Sequence, residues 1–363
     1  MRLLAETIAA IRPLDRRAVE AARRRLDELA KPRGSLGYLE EIALRLAGMA
    51  GDPAPAIGRK TVILMAGDHG VAEEGVSAYP QEVTRQMLAN FARGGAGINV
   101  LARHAGAEVV VVDMGVRGKP VHPSILDCRI REGTGNIARG PAMSREEAVA
   151  ALEAGLEIAR REIERNLSGL PLLAAGEMGI GNTTAAAAVL AAFSGFPAER
   201  LAGPGTGLDE EGIGRKARVI RRALEVNRPD PRDPVEVLAK LGGLEIAGLA
   251  GCILAAAAAG VPVLLDGFIS GAAGLVAARL APGCPDYLFA SHLSAEPGHR
   301  IILEMMGLRP LLALDLRLGE GTGAVLAMPL IEAAAKIARE MATFAEAGVS
   351  GPSGSRFAGR DCG

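Results

Sequence analysis

The stretch TVILMAGD at residues 61–68 is a continuous run of apolar, β-prone residues that ends on a glycine and an acid. Runs of the same kind recur along the chain: EVVVVDMG (108–115), LPLLAAGE (170–177), VPVLLDG (261–267), YLFAS (287–291) and LLALDLRLGEG (311–321). Helical stretches such as EEGIGRKARVIRRALEVN (210–227) lie between most of them. This alternation predicts an α/β fold with a six-stranded, mainly parallel, Rossmann-like sheet covered by helices on both faces.

The residues that finish these runs are the first candidates for a functional site. In open parallel sheets, ligands bind beyond the carboxyl ends of the strands. The candidates on this rule are Asp68, Asp113, Glu177, Asp266, Ser291 and Glu320. The rule predicts a location and leaves the chemistry open.

The two ends of the chain have a different pattern. Residues 16–51 hold two helical patterns separated by KPRGSLG (31–37), and one long helix is predicted from Ala324 to about Ala347. We therefore expect an α/β catalytic domain at 55–323, a small helical domain formed by 1–54 with 324–348, and a mobile tail at 349–363.

Composition excludes several classes of function. The 363 residues carry a formal net charge of −1, with seven Phe, three Tyr and no Trp, so neither a basic face nor stacking platforms for nucleic acid are expected. The uncharged stretch 246–265 is long enough for a bilayer span, but its centre is mostly Ala and it is broken by Gly260 and Pro262. We interpret it as a buried helix followed by a strand.

The cysteines predict no metal site and no disulfide framework. Cys128, Cys252, Cys284 and Cys362 are far apart and form no CxxC pair. The N-terminal apolar stretch is short and lacks a cleavage site, so it is interpreted as an ordinary helix. A reducing, cytoplasmic compartment is the expectation.

Three glycine-rich loops stand out: GEMGIGNTT (176–184), GPGTGLDEEGIGRK (203–216) and GEGTGA (319–324). Glycines let backbone N–H groups approach an anion, and a following helix N-terminus attracts negative charge, so the loops resemble a phosphate or ribose cradle. The alternative is that they are only tight turns and helix caps. None is a Walker A loop or a dinucleotide fingerprint, and Asp113 alone does not support a Mg-diphosphate donor.

Glu177 and Glu320 each lie in one of these glycine loops. A partly buried carboxylate there has its pKa raised toward the range of a general base, whereas the alternative is a surface Glu in a turn. Asp68 with His69 is interpreted as a structural hydrogen bond in preference to an acid/base pair or metal site, and His292 and His299 as local hydrogen-bonding residues.

Eight segments together resemble one enzyme family. They are GDHGVAEEGVSAYPQEVTRQM (67–87), FARGGAGINVLAR (91–103), AAGEMGIGNTTAAAA (174–188), GPGTGLD (203–209), LGGLEIAGLAGCILAAA (241–257), VPVLLDGFISGAAGL (261–275), SHLSAEPGHR (291–300) and LRLGEGTGAVLA (316–327). The chain is similar, from residue 31 to about 347, to the nicotinate-nucleotide:dimethylbenzimidazole phosphoribosyltransferase family, which makes the nucleotide of the lower ligand of cobalamin.

The resemblance implies transfer of the phosphoribosyl group of nicotinate mononucleotide to dimethylbenzimidazole, with inversion at C1′, giving α-ribazole 5′-phosphate and nicotinate. It implies a homodimer with small-molecule substrates, no cofactor and no metal. Glu320 matches the family's general base, and Glu177 is our candidate for stabilising charge on the ribose. The expected ligand contacts are Gly179, Gly181, Asn182, Thr183, Thr184, Lys216, Ser294, Gln86, Leu318, Gly319 and Gly321.

Two other classes of function stay open at this point. A non-catalytic module could hold a nucleotide or benzimidazole in the same pocket, although Glu320 and its loop are intact. An NAD-linked oxidoreductase lacks its fingerprint here. The sequence does not tell which aromatic base is preferred.

Overall fold

The computed structural model describes residues 2–351. The chain divides into two compact units, one formed by residues 1–13 with 57–329 and the other by residues 14–56 with the chain from 330. The domain boundaries expected at 54/55 and 323/324 stay a prediction. Of the predicted tail 349–363, the part from residue 352 lies outside the described residues.

The core of the larger unit is one parallel sheet, with seven strands in the described residues 2–351 and the order β3-β2-β1-β4-β5-β6-β7. The strands are β1 (Ile57–Gly67), β2 (Glu108–Gly115), β3 (Leu126–Asp127), β4 (Leu170–Met178), β5 (Val263–Leu265), β6 (Leu288–His292) and β7 (Pro310–Leu312). In the register of the central strands, Val62 lies beside Val109 on one side and Ala174 on the other. The α/β class and parallel sheet are confirmed.

The number of six strands was wrong. The missed strand, β3, has only two residues and carries no apolar run that a sequence pattern could detect. The last predicted strand, 311–321, is also much shorter, because Asp315, Gly319, Glu320 and Gly321 have positive φ angles that a strand does not allow.

Helices surround the sheet in the larger unit. They are α1 (Arg2–Ala10), α4 (Glu82–Arg93), α5 (Gly97–Ala105), α6 (Arg145–Glu164), α7 (Asn182–Ser194), α8 (Ala198–Leu201), α9 (Glu210–Asn227), α10 (Pro234–Leu241), α11 (Leu244–Ala258), α12 (Phe268–Leu280) and α13 (Pro297–Met306). Short 3₁₀ turns occupy Gly70–Glu74 and Cys284–Tyr287. Helix α9 begins and ends at the predicted residues.

Helix α11 is buried along most of its length, as expected for the uncharged stretch. It packs against α6 of the same chain, where a β-carbon at Gly155 or Gly251 would collide with the backbone of the facing helix. Glycine and alanine therefore let these two helices approach closely. In the described part of the chain, no helix is both long and apolar enough to cross a lipid bilayer.

The smaller unit contains α2 (Arg16–Glu28), α3 (Tyr38–Ala50) and α15 (Phe344–Ala347), together with the later part of α14 (Thr322–Glu340). Asp15 caps α2 by accepting from the backbone N–H groups of Arg17 and Ala18. The Arg25 guanidinium donates to the carbonyl oxygens of Ala338 and Arg339. These bonds tie the early helices to the chain that follows residue 330.

Candidate active site

Among the buried carboxylates of the larger unit, Glu177 and the three whose negative charges act on it lie at or near the carboxyl ends of the strands. Glu177 is the last residue but one of β4, Asp266 follows β5, Glu245 lies in the first turn of α11, and Glu320 precedes α14. We call these four residues the carboxylate cluster. Within residues 2–351, no Lys or Arg forms a salt bridge with any of them. The strand order reverses between β1 and β4, which is where ligands bind in open α/β sheets.

Glu320 has a backbone conformation that is unusual for a residue with a side chain. Its φ angle is +63°, between Gly319 at +79° and Gly321 at +90°. The turn directs its carboxylate inward, where Oε2 accepts from the backbone N–H of Ile98 at 3.1 Å. Burial raises the pKa of Glu320, although the Ile98 N–H opposes this shift.

Glu177 lies beside the same loop. Its Oε2 accepts from the Asn182 amide, and a β-carbon at Gly319 would collide with its Oε1. Burial raises the pKa of Glu177 to about 8, with further contributions from the negative charges of Asp266, Glu245 and Glu320. The structure thus brings together the two predicted carboxylates and Gly319.

Asp266 forms hydrogen bonds with the end of the loop 319–321 and with the start of α14. Its Oδ1 accepts from the N–H groups of Gly323 at 2.7 Å and Ala324 at 3.0 Å, and its Oδ2 accepts from Gly321 at 3.2 Å. Burial raises the pKa of Asp266 to about 7 even though these three donors oppose the shift. Among residues 2–351, the one basic side chain at salt-bridge distance from its carboxylate is His292, whose Nδ1 lies 3.9 Å from Oδ1.

His292 and His299 make local contacts, whereas His69 pairs with a residue far away in the sequence. His69 Nε2 lies 2.7 Å from Glu245 Oε1 in a buried pair, whereas Asp68 accepts from the backbone N–H of Arg117 at 2.8 Å. The sequence neighbours Asp68 and His69 therefore have different partners. His299 Nδ1 accepts from the backbone N–H of Ser294 at 2.9 Å, and burial lowers the pKa of His299 to about 3. His299 is therefore neutral near pH 7.

A buried lysine forms the second part of the site. Lys216 Nζ donates to Thr183 Oγ1 at 3.1 Å and to the Gly203 carbonyl at 3.0 Å. Burial lowers the pKa of Lys216 to about 8, although the negative charge of Glu296 opposes the shift. Glu296 Oε1 in turn accepts from the N–H of Gly205 at 2.8 Å. We call Lys216, Thr183, Glu296 and the loop 203–207 the lysine site.

The start of α7 links the two parts. Asn182 contacts Glu177 of the carboxylate cluster, and the next residue, Thr183, contacts Lys216. The turn before the helix needs glycine: a β-carbon at Gly179 would collide with the backbone of β1, and Gly181 has a φ of +97°. Inside the first turn, the buried hydroxyl of Thr184 has no hydrogen-bond partner within residues 2–351.

The other predicted contacts are less closely tied to this arrangement. The Ser294 hydroxyl accepts from the backbone N–H of Glu296 at 3.3 Å, which places it beside the lysine site. Leu318 is 61% exposed and lies over Gly97, near Glu320. Gln86 is an exposed residue of α4.

Sequence reasoning missed Glu245, Glu296 and Thr206. The Thr206 hydroxyl lies 3.0 Å from Ser77 Oγ and accepts from the Ala78 N–H at 2.9 Å, so it joins the loop 203–207 to the segment after β1. Glu245 was detectable, because it is the single charged residue in the apolar run LGGLEIAGLAGCILAAA. A charge in such a run is buried and needs a partner.

The described residues 2–351 include no group of three or more His, Cys, Asp or Glu side chains arranged to hold a metal ion. The two parts of the site supply acidic and basic side chains. The carboxylate cluster offers bases and negative charge, and the lysine site offers a buried cation beside a helix N-terminus.

Comparison with known proteins identifies relatives over nearly the whole chain. The family model described as "Phosphoribosyltransferase" matches residues 11–349. The nicotinate-nucleotide–dimethylbenzimidazole phosphoribosyltransferase of Desulforamulus reducens is 59% identical over 352 residues, which are 96% of this chain and 99% of the relative. The protein with the same name from Chloroflexus aggregans is 57% identical over 351 residues, again covering 96% and 99%.

A solved structure is similar as well. The crystal structure of CobT from Thermus thermophilus has a TM-score of 0.88 and 56% sequence identity to this chain. The match covers 93% of this chain and 100% of the Thermus chain. The likeness therefore extends across both compact units.

Proposed function

Since this chain belongs to the nicotinate-nucleotide–dimethylbenzimidazole phosphoribosyltransferase family, we propose that it moves the phosphoribosyl group of nicotinate mononucleotide to dimethylbenzimidazole. The products are α-ribazole 5′-phosphate, for the lower ligand of cobalamin, and nicotinate. The observation that carries this proposal is the burial of Glu177 and Glu320 on either side of Gly319, beside a buried lysine.

Glu320 acts as the general base. Neutral dimethylbenzimidazole has one N–H and one lone-pair nitrogen, and a carboxylate that takes the N–H proton makes the other nitrogen a better nucleophile. One oxygen of Glu320 is used by the Ile98 N–H, which leaves the other for the base. Because burial raises the pKa of Glu320, this carboxylate binds a proton more strongly than an exposed one.

The benzimidazole nitrogen displaces nicotinate from C1′ in a single step. The new bond joins the benzimidazole nitrogen to C1′, and the C1′–nitrogen bond to nicotinate breaks with its electron pair moving to the positively charged pyridinium. The proton from the benzimidazole N–H passes to Glu320. Attack on the face opposite the leaving group inverts C1′, which converts a β linkage into an α linkage.

Glu177 stabilises the positive charge that develops on the ribose. The carboxylate cluster lacks a Lys or Arg salt-bridge partner within residues 2–351, so a cationic sugar or pyridinium is the counter-ion it can accept. Asn182, which already donates to Glu177, orients this carboxylate and lies at the ribose. Gly319 and Gly321 allow the loop to approach the substrate.

The lysine site binds the 5′-phosphate. Two of the three protons of the Lys216 ammonium are used by Thr183 and Gly203, which leaves one for a phosphate oxygen. Gly179, Gly181 and the hydroxyls of Thr183 and Thr184 surround the N-terminus of α7, which favours an anion. Ser294 supplies a further hydroxyl near Glu296.

The aromatic base lies against Leu318 and the segment 77–87, where Gln86 lines the pocket. Leu318 is an exposed apolar side chain beside Glu320, so a flat aromatic base can pack against it. The homodimer, the absence of a cofactor and a cytoplasmic location stay predictions. The domain division at 54/55 and 323/324 is likewise part of the proposal.

The test is a metal-free incubation of the protein with nicotinate mononucleotide and dimethylbenzimidazole, with chromatography and NMR of the product. We expect α-ribazole 5′-phosphate, and Glu320→Gln should lower kcat by ~10²- to 10⁴-fold, the usual contribution of a positioned general base. Glu332→Gln, on the later part of α14, is the matched control. Binding of both substrates without product would replace the proposed reaction with a binding function.

A further inference from the structure

The loop that carries Glu320 has an unusual backbone conformation, and the carboxylate of Asp266 accepts from N–H groups on its C-terminal side. We propose that Asp266 is a positioning residue for Glu320: its bonds to the start of α14 keep the loop 319–321 in the left-handed conformation that turns Glu320 into the site. This inference rests on the proposed function, because it assigns Asp266 to the general base of that reaction. Asp266 itself is 1% exposed and does not need to touch the substrate.

The backbone of the loop has a rare conformation. Gly319, Glu320 and Gly321 have φ angles of +79°, +63° and +90°, so three consecutive residues have positive φ. Such conformations are disfavoured for residues with a β-carbon and normally occur singly. Residues around the loop must therefore hold Glu320 there.

Two side chains form hydrogen bonds with the backbone of this loop. Within the loop, Thr322 donates from its hydroxyl to the Gly319 carbonyl at 2.8 Å. From outside, Asp266 accepts from the N–H groups of Gly321, Gly323 and Ala324. These three donors lie within four residues after Glu320, so one side chain bonds both the C-terminal end of the loop and the first turn of α14.

The start of α14 is capped by the same carboxylate. A free helix N-terminus attracts anions, and this one begins two residues after Glu320. Asp266 already accepts from the first N–H groups of α14, so these donors are not available to a phosphate. The side chain of Asp266 is in turn kept in place by the short strand β5 and by burial. The carboxylate thus acts on the loop as an internal cap.

Asp266→Asn tests this role with a minimal change. Asparagine keeps Oδ1 as an acceptor for Gly323 and Ala324, but its NH₂ group replaces the acceptor for the Gly321 N–H and sets two donors against each other. We expect kcat to fall ~10- to 100-fold, while the KM for nicotinate mononucleotide changes less than about threefold, because the loss acts through the base.

A double-mutant cycle separates positioning from a general structural effect. If Asp266 acts through Glu320, then Asp266→Asn should reduce the residual rate of Glu320→Gln by less than about twofold. A further loss of tenfold or more in that background would overturn the inference. Asp233→Asn is the matched control, since Asp233 caps α10 by accepting from the Glu236 N–H at 3.1 Å, and it should not change kcat.

A crystal structure of Asp266→Asn gives a result that does not depend on catalysis. We expect Glu320 to leave the left-handed region and to lose its bond from the Ile98 N–H. If Glu320 keeps its conformation, the inference is wrong even where kcat falls. If the wild-type protein makes no product, the proposed function fails, while the crystal structure still decides whether Asp266 holds the loop.

Should Asp266→Asn not fold, Gly321→Ala tests the premise of the inference with Asp266 in place, namely that the loop conformation positions Glu320. Alanine at a φ of +90° is strained, and its β-carbon would lie 3.0 Å from Val62 Cγ1. The loop should again release Glu320, and kcat should fall ~10- to 100-fold with little change in KM, as expected for loss of a positioned base. Unchanged kcat in Gly321→Ala would argue that the loop conformation does not matter for the base.

Discussion

The carboxylate cluster and the lysine site lie next to each other, joined through Asn182 and Thr183. Within residues 2–351 no Lys or Arg forms a salt bridge with a carboxylate of either region, although the negative charge of Glu296 in the lysine site acts on Lys216. Among residues 2–351, the four carboxylates have only imidazoles as basic neighbours at salt-bridge distance, and Lys216 has no salt bridge to a carboxylate. Buried charge without a counter-ion is unfavourable. The difference between the two regions therefore indicates a ligand with a cationic end and an anionic end, which describes nicotinate mononucleotide at its glycosidic bond and its phosphate.

The largest difference between the two regions should appear in kcat/KM when substrates with and without a phosphate are compared. Lys216→Ala should lower kcat/KM for nicotinate mononucleotide ~10- to 100-fold, since a hydrogen bond to a charged group contributes about 1.5–3 kcal/mol. For nicotinate riboside, which lacks the phosphate, the same variant should differ from wild type by less than about threefold, because the lost contact is to the phosphate. Steady-state kinetics with both substrates measure this.

Glu177→Gln is the contrasting variant in that experiment, because the carboxylate acts at the ribose and should be needed for both substrates. Lys240→Ala is the matched control, since Lys240 is a lysine at the protein surface that pairs with Glu236. An equal loss in Lys216→Ala for the nucleotide and the riboside would argue against a phosphate role for the lysine site.

Sequence reasoning succeeded best where a single run decides the structure. The strands at 108–115 and 170–177 and helix α9 were predicted nearly to the residue, because each has a continuous pattern with clear ends. Strand β3 was not predictable, since two residues carry no periodicity and pair only because β2 lies beside them. Tertiary context forms such a strand.

The site was predictable in part for the same reason. Glycine loops identified Glu177 and Glu320, but no local pattern predicts that Glu245 pairs with His69, which lies 176 residues away. The positive φ of Glu320 was equally hidden, because a residue with a β-carbon gives no sign of a left-handed conformation that Asp266 imposes. Long-range contacts thus decided what local sequence did not.

A smaller effect should appear in the pH dependence of binding. At pH 7 the free protein holds Glu177 mostly protonated, because its pKa is raised to about 8, and holds Lys216 mostly charged, because its pKa is lowered only to about 8. A pyridinium beside Glu177 favours the carboxylate form. Binding of nicotinate mononucleotide at pH 7 should therefore release up to about one proton, and affinity should rise by at most ~10-fold from pH 7 to 8.

Calorimetry in buffers with different ionisation heats measures this proton release directly. Working at pH 7 or above keeps the phosphate of the nucleotide largely dianionic, since its second pKa is about 6. Glu177→Gln should bind with no proton release from this position. Proton uptake by the wild type at pH 7 would show that the carboxylate cluster does not receive the cationic end of the substrate.

The last effect concerns stability in the absence of substrate, where the two regions should respond to pH with opposite signs. A carboxyl whose pKa rises from 4.5 to about 8 on folding binds more protons in the native state, so stability falls as pH rises through that window. Lys216, whose pKa falls from 10.5 to about 8, binds fewer protons when folded, so stability rises with pH between those values.

Glu177→Gln should therefore stabilise the unliganded protein by about 3 kcal/mol more at pH 8 than at pH 5, a rise of several degrees in Tm. Lys216→Met should stabilise most at or below pH 8 and lose that advantage toward pH 10. Thermal unfolding followed by circular dichroism across these pH values tests both, and parallel pH trends in the two variants would contradict the assignment of opposite uncompensated charges to the two regions.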